Sequence, residues 1–176
     1  VTISVSNTFA SFFRNLLIDQ EISATLPFHT VVTGSRAKPE FATLTGTALE
    51  VRGDLTASGA LNGIIDLDTA YVGGVLTPNL SSQDYRINVL VMTGAAQTLP
   101  SFPHYATVVV EGDSVVLAGG AWMGSLLIDG TGLADVGGAI QVNGSIETRN
   151  LGRLRMAGGT LFVGGDFFQA SLTSAT

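Results

Sequence analysis

A short phrase that recurs towards the C-terminus limits what this chain can fold into. It reads Val142-Asn143-Gly144-Ser145-Ile146, and it returns as Val163-Gly164-Gly165-Asp166-Phe167. In both copies an apolar residue precedes a glycine corner with Ser or Asp, and apolar alternation then resumes. Similar phrases begin at Val51, Val72, Val110 and Ile128. Because a period of about 20 residues in a strand-rich chain is typical of a solenoid, we predict turns that bury their apolar faces against one another.

The composition supports such an extended fold. The 176 residues suit one domain, and 45% are hydrophobic while only 12% are charged, about half the usual charged share. A solenoid can cover its outside with Thr, Ser, Asn and Gly, and a polymer subunit can bury apolar surface against its neighbours. The 22 glycines fit many tight corners, since the apolar content is too high for a disordered chain.

We therefore predict an all-β fold, a parallel β-solenoid in the form of a right-handed, three-sided β-helix of about five to seven turns. Residues 1–47 would hold an N-terminal strand, a capping helix and the first irregular turns, and residues 48–176 one continuous solenoid body. The intervals between successive phrases are irregular, since some are much longer or shorter than others. A β-sandwich or an open barrel, which also use many short strands, are the alternatives.

The N-terminal segment has the strongest helical period of the chain. After an alternating strand over Val1–Val5, a helix is predicted with Asn7 or Thr8 as its cap and with apolar residues at helical spacing, namely Phe9, Phe12, Phe13, Leu16 and Leu17. We expect this helix to cover the first turn of the solenoid. The alternative is that the helix and first strand dock into a neighbouring subunit.

Two stretches resemble a known class of proteins. They are Ala48-Leu49-Glu50-Val51-Arg52-Gly53-Asp54-Leu55-Thr56 and Gly159-Thr160-Leu161-Phe162-Val163-Gly164-Gly165-Asp166-Phe167. Their Gly-Asp-Leu-Thr and Leu-x-Val-Gly-Gly-Asp patterns resemble those of bacterial extracellular β-solenoid proteins, which include haemagglutinin-like adhesins and large secreted repeat proteins. The resemblance covers about residues 48–170 and implies surface display, adhesion or fibre building.

The C-terminal end of the chain favours assembly. After Phe167-Phe168 no charge, proline or helical pattern closes the last turn, and an uncovered strand edge over an apolar core invites pairing. We expect a structural subunit of an extracellular fibre or surface appendage, forming a head-to-tail homopolymer. The candidate subunit interface comprises Val1, Ile3, Val5, Phe9, Phe12, Phe13, Leu16, Leu17, Phe167, Phe168 and Leu172.

Charge and cysteine content exclude several classes of partner. The net charge is −6, Lys38 is the only lysine, and the arginines are scattered, so neither nucleic acid nor an anionic membrane surface is expected. No apolar stretch of about 18 residues predicts membrane insertion. The chain has no cysteine, which excludes disulfides and thiolate metal sites. Absent cysteine and scarce lysine fit an exported protein, and we expect an extracellular or cell-surface location.

Paired carboxylates are the best candidates for chemistry. Asp66 and Asp68 flank Leu67 on a predicted strand, so both point away from the core. Such a pair can serve polysaccharide cleavage or weak Ca²⁺ binding, but the explanation we favour is a solvated outer face. We expect no enzyme activity, cofactor or resident metal; a polysaccharide-degrading β-helix enzyme is the third functional alternative.

The other notable residues have structural explanations. An aspartate recurs at the glycine corners, where its side chain can accept backbone N–H groups: Asp54, Asp113 and Asp166. Arg52-Gly53-Asp54 spells an integrin-type tripeptide inside one such corner. His29 and His104 have no carboxylate at metal-ligand spacing. A monomeric adhesin-like or carbohydrate-binding module is the second functional alternative, with dispersed aromatic residues as its sugar platform: Tyr71, Tyr85, Phe102, Tyr105 and Trp122.

Overall fold

The computed structural model describes residues 2–4, 11–13, 16–17, 23–32, 36–38, 43–57, 65–78, 85–101 and 105–169, with side chains in 45–55, 65–77, 86–101 and 105–169. These described residues contain no helix. They form strands β1 (Thr2–Ser4), β2 (Ser11–Phe13), β3 (Leu16–Leu17), β4 (Ser23–Val32), β5 (Arg36–Lys38), β6 (Thr43–Val51), β7 (Leu55–Ala57), β8 (Ile65–Val72), β9 (Leu76–Pro78), β10 (Tyr85–Met92), β11 (Thr98–Leu99), β12 (Tyr105–Val110), β13 (Val115–Leu117), β14 (Trp122–Ile128), β15 (Leu133–Val136), β16 (Ala139–Val142), β17 (Ile146–Thr148), β18 (Arg153–Met156), β19 (Thr160–Val163) and β20 (Phe167–Gln169).

The strands stack as parallel β-coils. One long sheet has the order β1-β4-β6-β8-β10-β12-β14-β16-β19, with β17 and β20 continuing the last two coils. Two four-stranded sheets, β3-β5-β7-β9 and β11-β13-β15-β18, form the remaining side. Every pairing between described strands is parallel. The predicted parallel β-solenoid is confirmed, and the sandwich and barrel alternatives, which need antiparallel strands, are wrong.

The strand register gives the length of each turn. From β8 to β20 the chain makes five turns, and these are delimited by the pairs Ile65 with Tyr85, Leu90 with Val108, Val108 with Leu126, Leu126 with Ile146, and Ile146 with Phe167. The two turns between Leu90 and Leu126 are shorter than the others. The long sheet continues on the other side of β8 through β6, β4 and β1. Since parallel strands lie about 4.8 Å apart, each turn advances the coil by that distance.

Each coil has three sides because the strands of the long sheet bend. In β8, Ile65 and Leu67 are buried, as are Ala70 and Val72, whereas the consecutive residues Asp68 and Thr69 both lie outside the core. This phase shift in the inward alternation divides the strand into a first face before the bend and a second face after it. In the later coils the bend separates β16 from β17 and β19 from β20. The two four-stranded sheets supply the third face.

The core is a set of apolar rows that run along the solenoid axis. One row on the second face is Leu49, Ala70, Leu90, Val108, Leu126 and Ile146, joined by the strand register and each at most 1% exposed. Burying one such leucine stabilises the fold by about 2 kcal/mol. Because a residue in a row contacts its equivalents above and below, no single coil can bury its apolar face alone.

A buried glutamine joins the two halves of the third face. Strands β9 and β11 are the third-face strands of two successive turns, but they belong to different sheets. At this junction Gln97 is only 3% exposed, and its Nε2 donates to the carbonyls of Val72 (2.9 Å) and Gly74 (2.5 Å). Its Oε1 accepts the N–H of Gly94 (2.8 Å). The side chain thus replaces backbone pairing where the third face changes from one sheet to the other.

The N-terminal helix is not found where the structure describes that segment. Ser11–Phe13 form β2 and Leu16–Leu17 form β3, so for these residues the prediction is corrected to strand. β2 pairs with Thr30–Val32 and β3 with Arg36–Ala37, both in parallel. Phe and Leu suit either structure, and pairing with the next coil overrides the helical spacing. Phe9, Asn7 and Thr8 lie outside the described residues.

Candidate functional site

Within residues 105–169, which the structure describes without a gap, the last coil leaves part of the apolar core uncovered. We call β18, β19 and β20 the terminal coil, and its inward positions Leu154, Met156, Leu161, Val163 and Phe167 the open end. Leu154 and Leu161 pack partly against the core, whereas Met156, Val163 and Phe167 are 53%, 37% and 52% exposed. In the preceding coil their register partners Val136, Val142 and Ile146 are all fully buried. The open end therefore exposes apolar positions that are buried core residues in the other coils.

Two of the predicted C-terminal interface residues lie on different surfaces. Phe167 pairs with Ile146 and continues an inward row, so it belongs to the open end. Phe168 pairs with Glu147 and is also 52% exposed, but it lies on the outer side of the second face. Leu172 lies outside the described residues. The sequence prediction missed the other members of the open end, although the repeat interval that relates Ile140 to Leu161 could have identified Leu161 and Val163.

The N-terminal interface residues are only partly described. Ile3 lies in β1, Phe12 and Phe13 in β2, and Leu16 and Leu17 in β3. These strands begin the strand order of the long sheet and of one four-stranded sheet. The side chains of these residues, and Val1, Val5 and Phe9, lie outside the described part of the chain, so their place in an interface stays a prediction.

The carboxylate pair lies on the first face, as the strand pattern predicts. Asp66 and Asp68 are exposed on either side of the buried Leu67. The Asp68 carboxylate accepts a hydrogen bond from Asn88 Nδ2 (3.3 Å), and Asp66 is in register with Arg86 on the next strand. Among the side chains that the structure describes, no three His, Asp or Glu residues come close enough to hold a metal ion.

The aspartates of the glycine corners differ from one another. Asp54 Oδ1 accepts the N–H of Val75 in the next coil (2.7 Å), which is the predicted role of this side chain. In the described part of the chain, the carboxylates of Asp113 and Asp166 accept no such bond. The side chain of Arg52 pairs with Glu50 (2.8 Å). The Arg-Gly-Asp tripeptide is thus occupied by contacts within and between coils.

The predicted aromatic platform is not a single surface. Tyr105 is 1% exposed and belongs to the core, Tyr71 is half-buried on the second face, and Trp122 lies on the first face. The side chain of Tyr85 is not described, and Phe102 lies outside the described residues, as does His104. His29 is in β4, without a described side chain. The structure instead places the exposed Phe162 on the same face as Trp122, an aromatic pair that the sequence interpretation missed.

A buried carboxylate fastens the terminal coil to the coil before it. Asp135 in β15 is 4% exposed, and its oxygens accept Arg155 Nε (2.6 Å) and the second guanidinium nitrogen (2.7 Å). Ser114 Oγ donates to the same carboxylate (3.2 Å). The bonds from Arg155, opposed by burial, hold the pKa of Asp135 below its ordinary value. The sequence offered one signal for this pair, because Asp135 and Arg155 are separated by about the length of one repeat.

This pair predicts a specific loss of stability in acid. A carboxyl group with a lowered folded-state pKa stabilises the fold above its ordinary pKa, near 4, and that contribution disappears as the pH falls towards the lower value. We expect Asp135→Asn to lose about 1.5 kcal/mol at pH 7, or about 5 °C in Tm, because it lacks the charged acceptor. Below pH 4 the wild-type and variant Tm values should converge.

The matched control is Glu147→Gln. Glu147 also pairs with an arginine, Arg149 (2.6 Å), but both side chains are substantially exposed. Solvent screens that pair, so its removal should change Tm by much less. Thermal unfolding followed by circular dichroism between pH 7 and pH 2 measures both variants. Parallel curves for wild type and Asp135→Asn over this range would contradict the assigned role of Asp135.

Two further properties of the chain concern membrane-spanning helices and similarity to known proteins. In the described residues, no helix has the length and apolar character to cross a membrane. The chain matches no protein-family model, no curated protein and no solved structure.

Proposed function

We propose that this chain is a structural subunit of an extracellular fibre or surface appendage, and that copies join head to tail through the ends of the solenoid. The proposal rests on the open end, where inward core positions carry exposed apolar side chains. Large exposed apolar surfaces of this kind are typical of interaction sites. The fitting occupant is a surface with the same coil geometry.

A second copy of this chain supplies that geometry. In the described strand order, β19 and β18 end two sheets at the C-terminal side, while β1 and β3 begin two sheets at the N-terminal side. Edge strands carry N–H and C=O groups ready to pair. All existing pairings are parallel and advance in one direction, so a further coil from the next copy would continue both the backbone pairing and the apolar rows.

The remaining support comes from the sequence. Only 12% of residues are charged, which fits a subunit that stacks on its neighbours, and absent cysteine with a single lysine is compatible with an exported protein. The Gly-Asp corner phrases resemble those of bacterial extracellular adhesins and secreted repeat proteins, and we include this chain in that class as part of the proposal. The proposal also includes a right-handed coil, since crossover connections between parallel strands are almost always right-handed.

Two adjacent phenylalanines provide a matched test of assembly. Phe167→Glu places a charge on the open end, where it would lie against the apolar rows of the next copy, at a cost of several kcal/mol. Phe168→Glu changes a side chain of equal exposure on the outer side. We expect wild type and Phe168→Glu to form particles that lengthen with protein concentration, and Phe167→Glu to stay monomeric, in mass photometry and negative-stain electron microscopy.

A mixing experiment tests the head-to-tail geometry. Phe167→Glu keeps its N-terminal end, so it should join a growing wild-type fibre and then block further growth. Adding it in small amounts should shorten wild-type fibres, whereas Phe168→Glu should leave their length unchanged. Wild-type particles whose mass does not change with concentration, together with an absence of fibres, would refute the proposal.

A further inference from the structure

Trp122, Gln141 and Phe162 form an outward-facing row on the first face, in which Trp122 is half-buried and the other two are exposed. Trp122 is in register with Gln141, and Gln141 with Phe162, so the three side chains occupy consecutive coils. Phe162 is 59% exposed and Gln141 is exposed between the two rings. They border a surface depression whose other lining residues are Gly120, Ala121, Ala139 and Ile140. With coils about 4.8 Å apart, the two rings are about 10 Å from each other.

Hydrogen bonds hold the amides of this surface in place. Asn143 Oδ1 accepts both Trp122 Nε1 (3.2 Å) and Gln141 Nε2 (2.7 Å). Because an indole nitrogen can only donate, the Asn143 atom must be its oxygen, and the Gln141 atom that shares it must be its nitrogen. Asn143 Nδ2 is left as a donor and Gln141 Oε1 as an acceptor, and both residues are exposed.

The surface carries no charge. From β12 to β19 the described outward residues of the first face are all uncharged, namely Ala106, Trp122, Gly124, Ala139, Gln141, Asn143, Thr160 and Phe162. The second face carries Glu147 and Arg149, and the third face Asp135 and Arg155. An anionic or cationic ligand would therefore find no counter-charge on this part of the first face, since the charged residues described on that face, Asp66, Asp68 and Arg86, lie in β8 and β10. A ligand with apolar faces and hydroxyl groups fits this uncharged part.

We propose that this row binds a neutral glycan. The C–H faces of two sugar rings would stack on Trp122 and Phe162, since aromatic rings offer flat apolar surfaces of the size of a pyranose. Hydroxyl groups both donate and accept, so neighbouring hydroxyls match the donor of Asn143 and the acceptor of Gln141.

The chain has a single tryptophan, so its fluorescence reports on this surface alone. We expect Trp122 emission to change, and to saturate, on titration with at least one of three neutral hexasaccharides, the β-1,4-linked oligomers of glucose, mannose and xylose. A hexamer of galacturonic acid should cause no saturable change. Phe162→Ala should weaken the binding at least about tenfold, because it removes one stacking ring.

The control variant is Phe168→Ala, which removes a ring of comparable exposure from the second face and should bind like wild type. Each titration is repeated in the Phe167→Glu background, so that the result does not depend on head-to-tail assembly. The proposal is overturned if none of the neutral hexasaccharides changes the emission, or if Phe162→Ala binds them as tightly as wild type. A shift of Trp122 emission with protein concentration in the Phe167→Glu background, when no glycan is present, would show that this face is a contact between copies. That result would also overturn the glycan proposal.

Discussion

Gly112→Ala is expected to destabilise the solenoid by at least about 3 kcal/mol, although it adds a single methyl group. A Cβ at this position would overlap the carbonyl oxygen of Gly94 in the preceding coil and lie 2.8 Å from its carbonyl carbon. Neither backbone can move away easily, because the Gly112 N–H donates to Met92 O (2.9 Å) and its carbonyl accepts the N–H of Leu133 (3.1 Å). The added methyl group would therefore force two coils apart.

A second glycine serves as the control for this change. A Cβ on Gly119 would lie 3.6 Å from Gly138 Cα, which is ordinary van der Waals contact. Gly119→Ala reduces the entropy of the unfolded chain to the same extent, so it should be neutral or slightly stabilising. Urea unfolding followed by circular dichroism compares the two variants, with a Tm difference of roughly 10 °C expected in a parallel thermal scan. Equal midpoints would show that the coils are not in this close contact.

The architecture could be predicted because stacked coils repeat their sequence. The interval between Val142 and Val163 is the register of β16 with β19. The spacing of the other phrases is irregular in the sequence, and the structure explains why. The phrases at Val142 and Val163 lie at the corner between the first and second faces, whereas those at Val51, Val72, Val110 and Ile128 follow the second face.

Two different corners of the coil therefore carry the same sequence phrase. This explains why some intervals between phrases are shorter or longer than one turn. The short interval from Ile128 to Val142 joins different corners of the coil. The long interval from Val72 to Val110 contains two coils, since Met92 pairs with both of these valines. The intermediate corner was missed because it reads Thr93-Gly94-Ala95 and has no aspartate. A corner needs glycine for the close approach of the coils, and the other residues can vary.

The candidate site was less predictable because it depends on contacts between coils. Phe167 was expected at an interface from its place near the C-terminus, but Met156 lies on a different side of the same open end. Trp122 and Phe162 are far apart in the sequence and meet on one face only because two complete turns of unequal length separate them. A sequence pattern predicts which residues point inward, whereas the assignment of faces needs the length of each turn.

Gln97 offers the second large effect. Gln97→Met keeps the volume of the side chain but removes its bonds to Gly94, Val72 and Gly74 at the junction of the two third-face sheets. Val72 O keeps the N–H of Thr93 (3.0 Å), so the loss falls mainly on the two glycines. Leaving these partly buried backbone groups unpaired should destabilise the fold by about 2 kcal/mol. Chemical unfolding at pH 7 gives the value.

The Gln97→Glu variant separates the role of the donor from that of the acceptor. A glutamate keeps an oxygen for Gly94 N–H, but directs a charge at the carbonyl oxygens of Val72 and Gly74, so at pH 7 it should be less stable than Gln97→Met. Burial and the facing carbonyls would raise the folded-state pKa of the new carboxyl group above its ordinary value. The folded state then favours the protonated carboxyl group, whose O–H can donate to a carbonyl. The stability deficit of Gln97→Glu relative to wild type should therefore shrink as the pH falls from 7 to 5.

The direction of the pH effect distinguishes this variant from the wild type. Asp135 makes the wild type lose stability below about pH 4. Gln97→Glu should instead recover part of its lost stability at a higher pH, between pH 7 and pH 5. Gln141→Glu, on the exposed first face, is the control and should show no such recovery. Gln97→Met within about 0.5 kcal/mol of wild type, or a Gln97→Glu deficit that does not change between pH 7 and pH 5, would show that Gln97 fills space at the junction without joining the sheets.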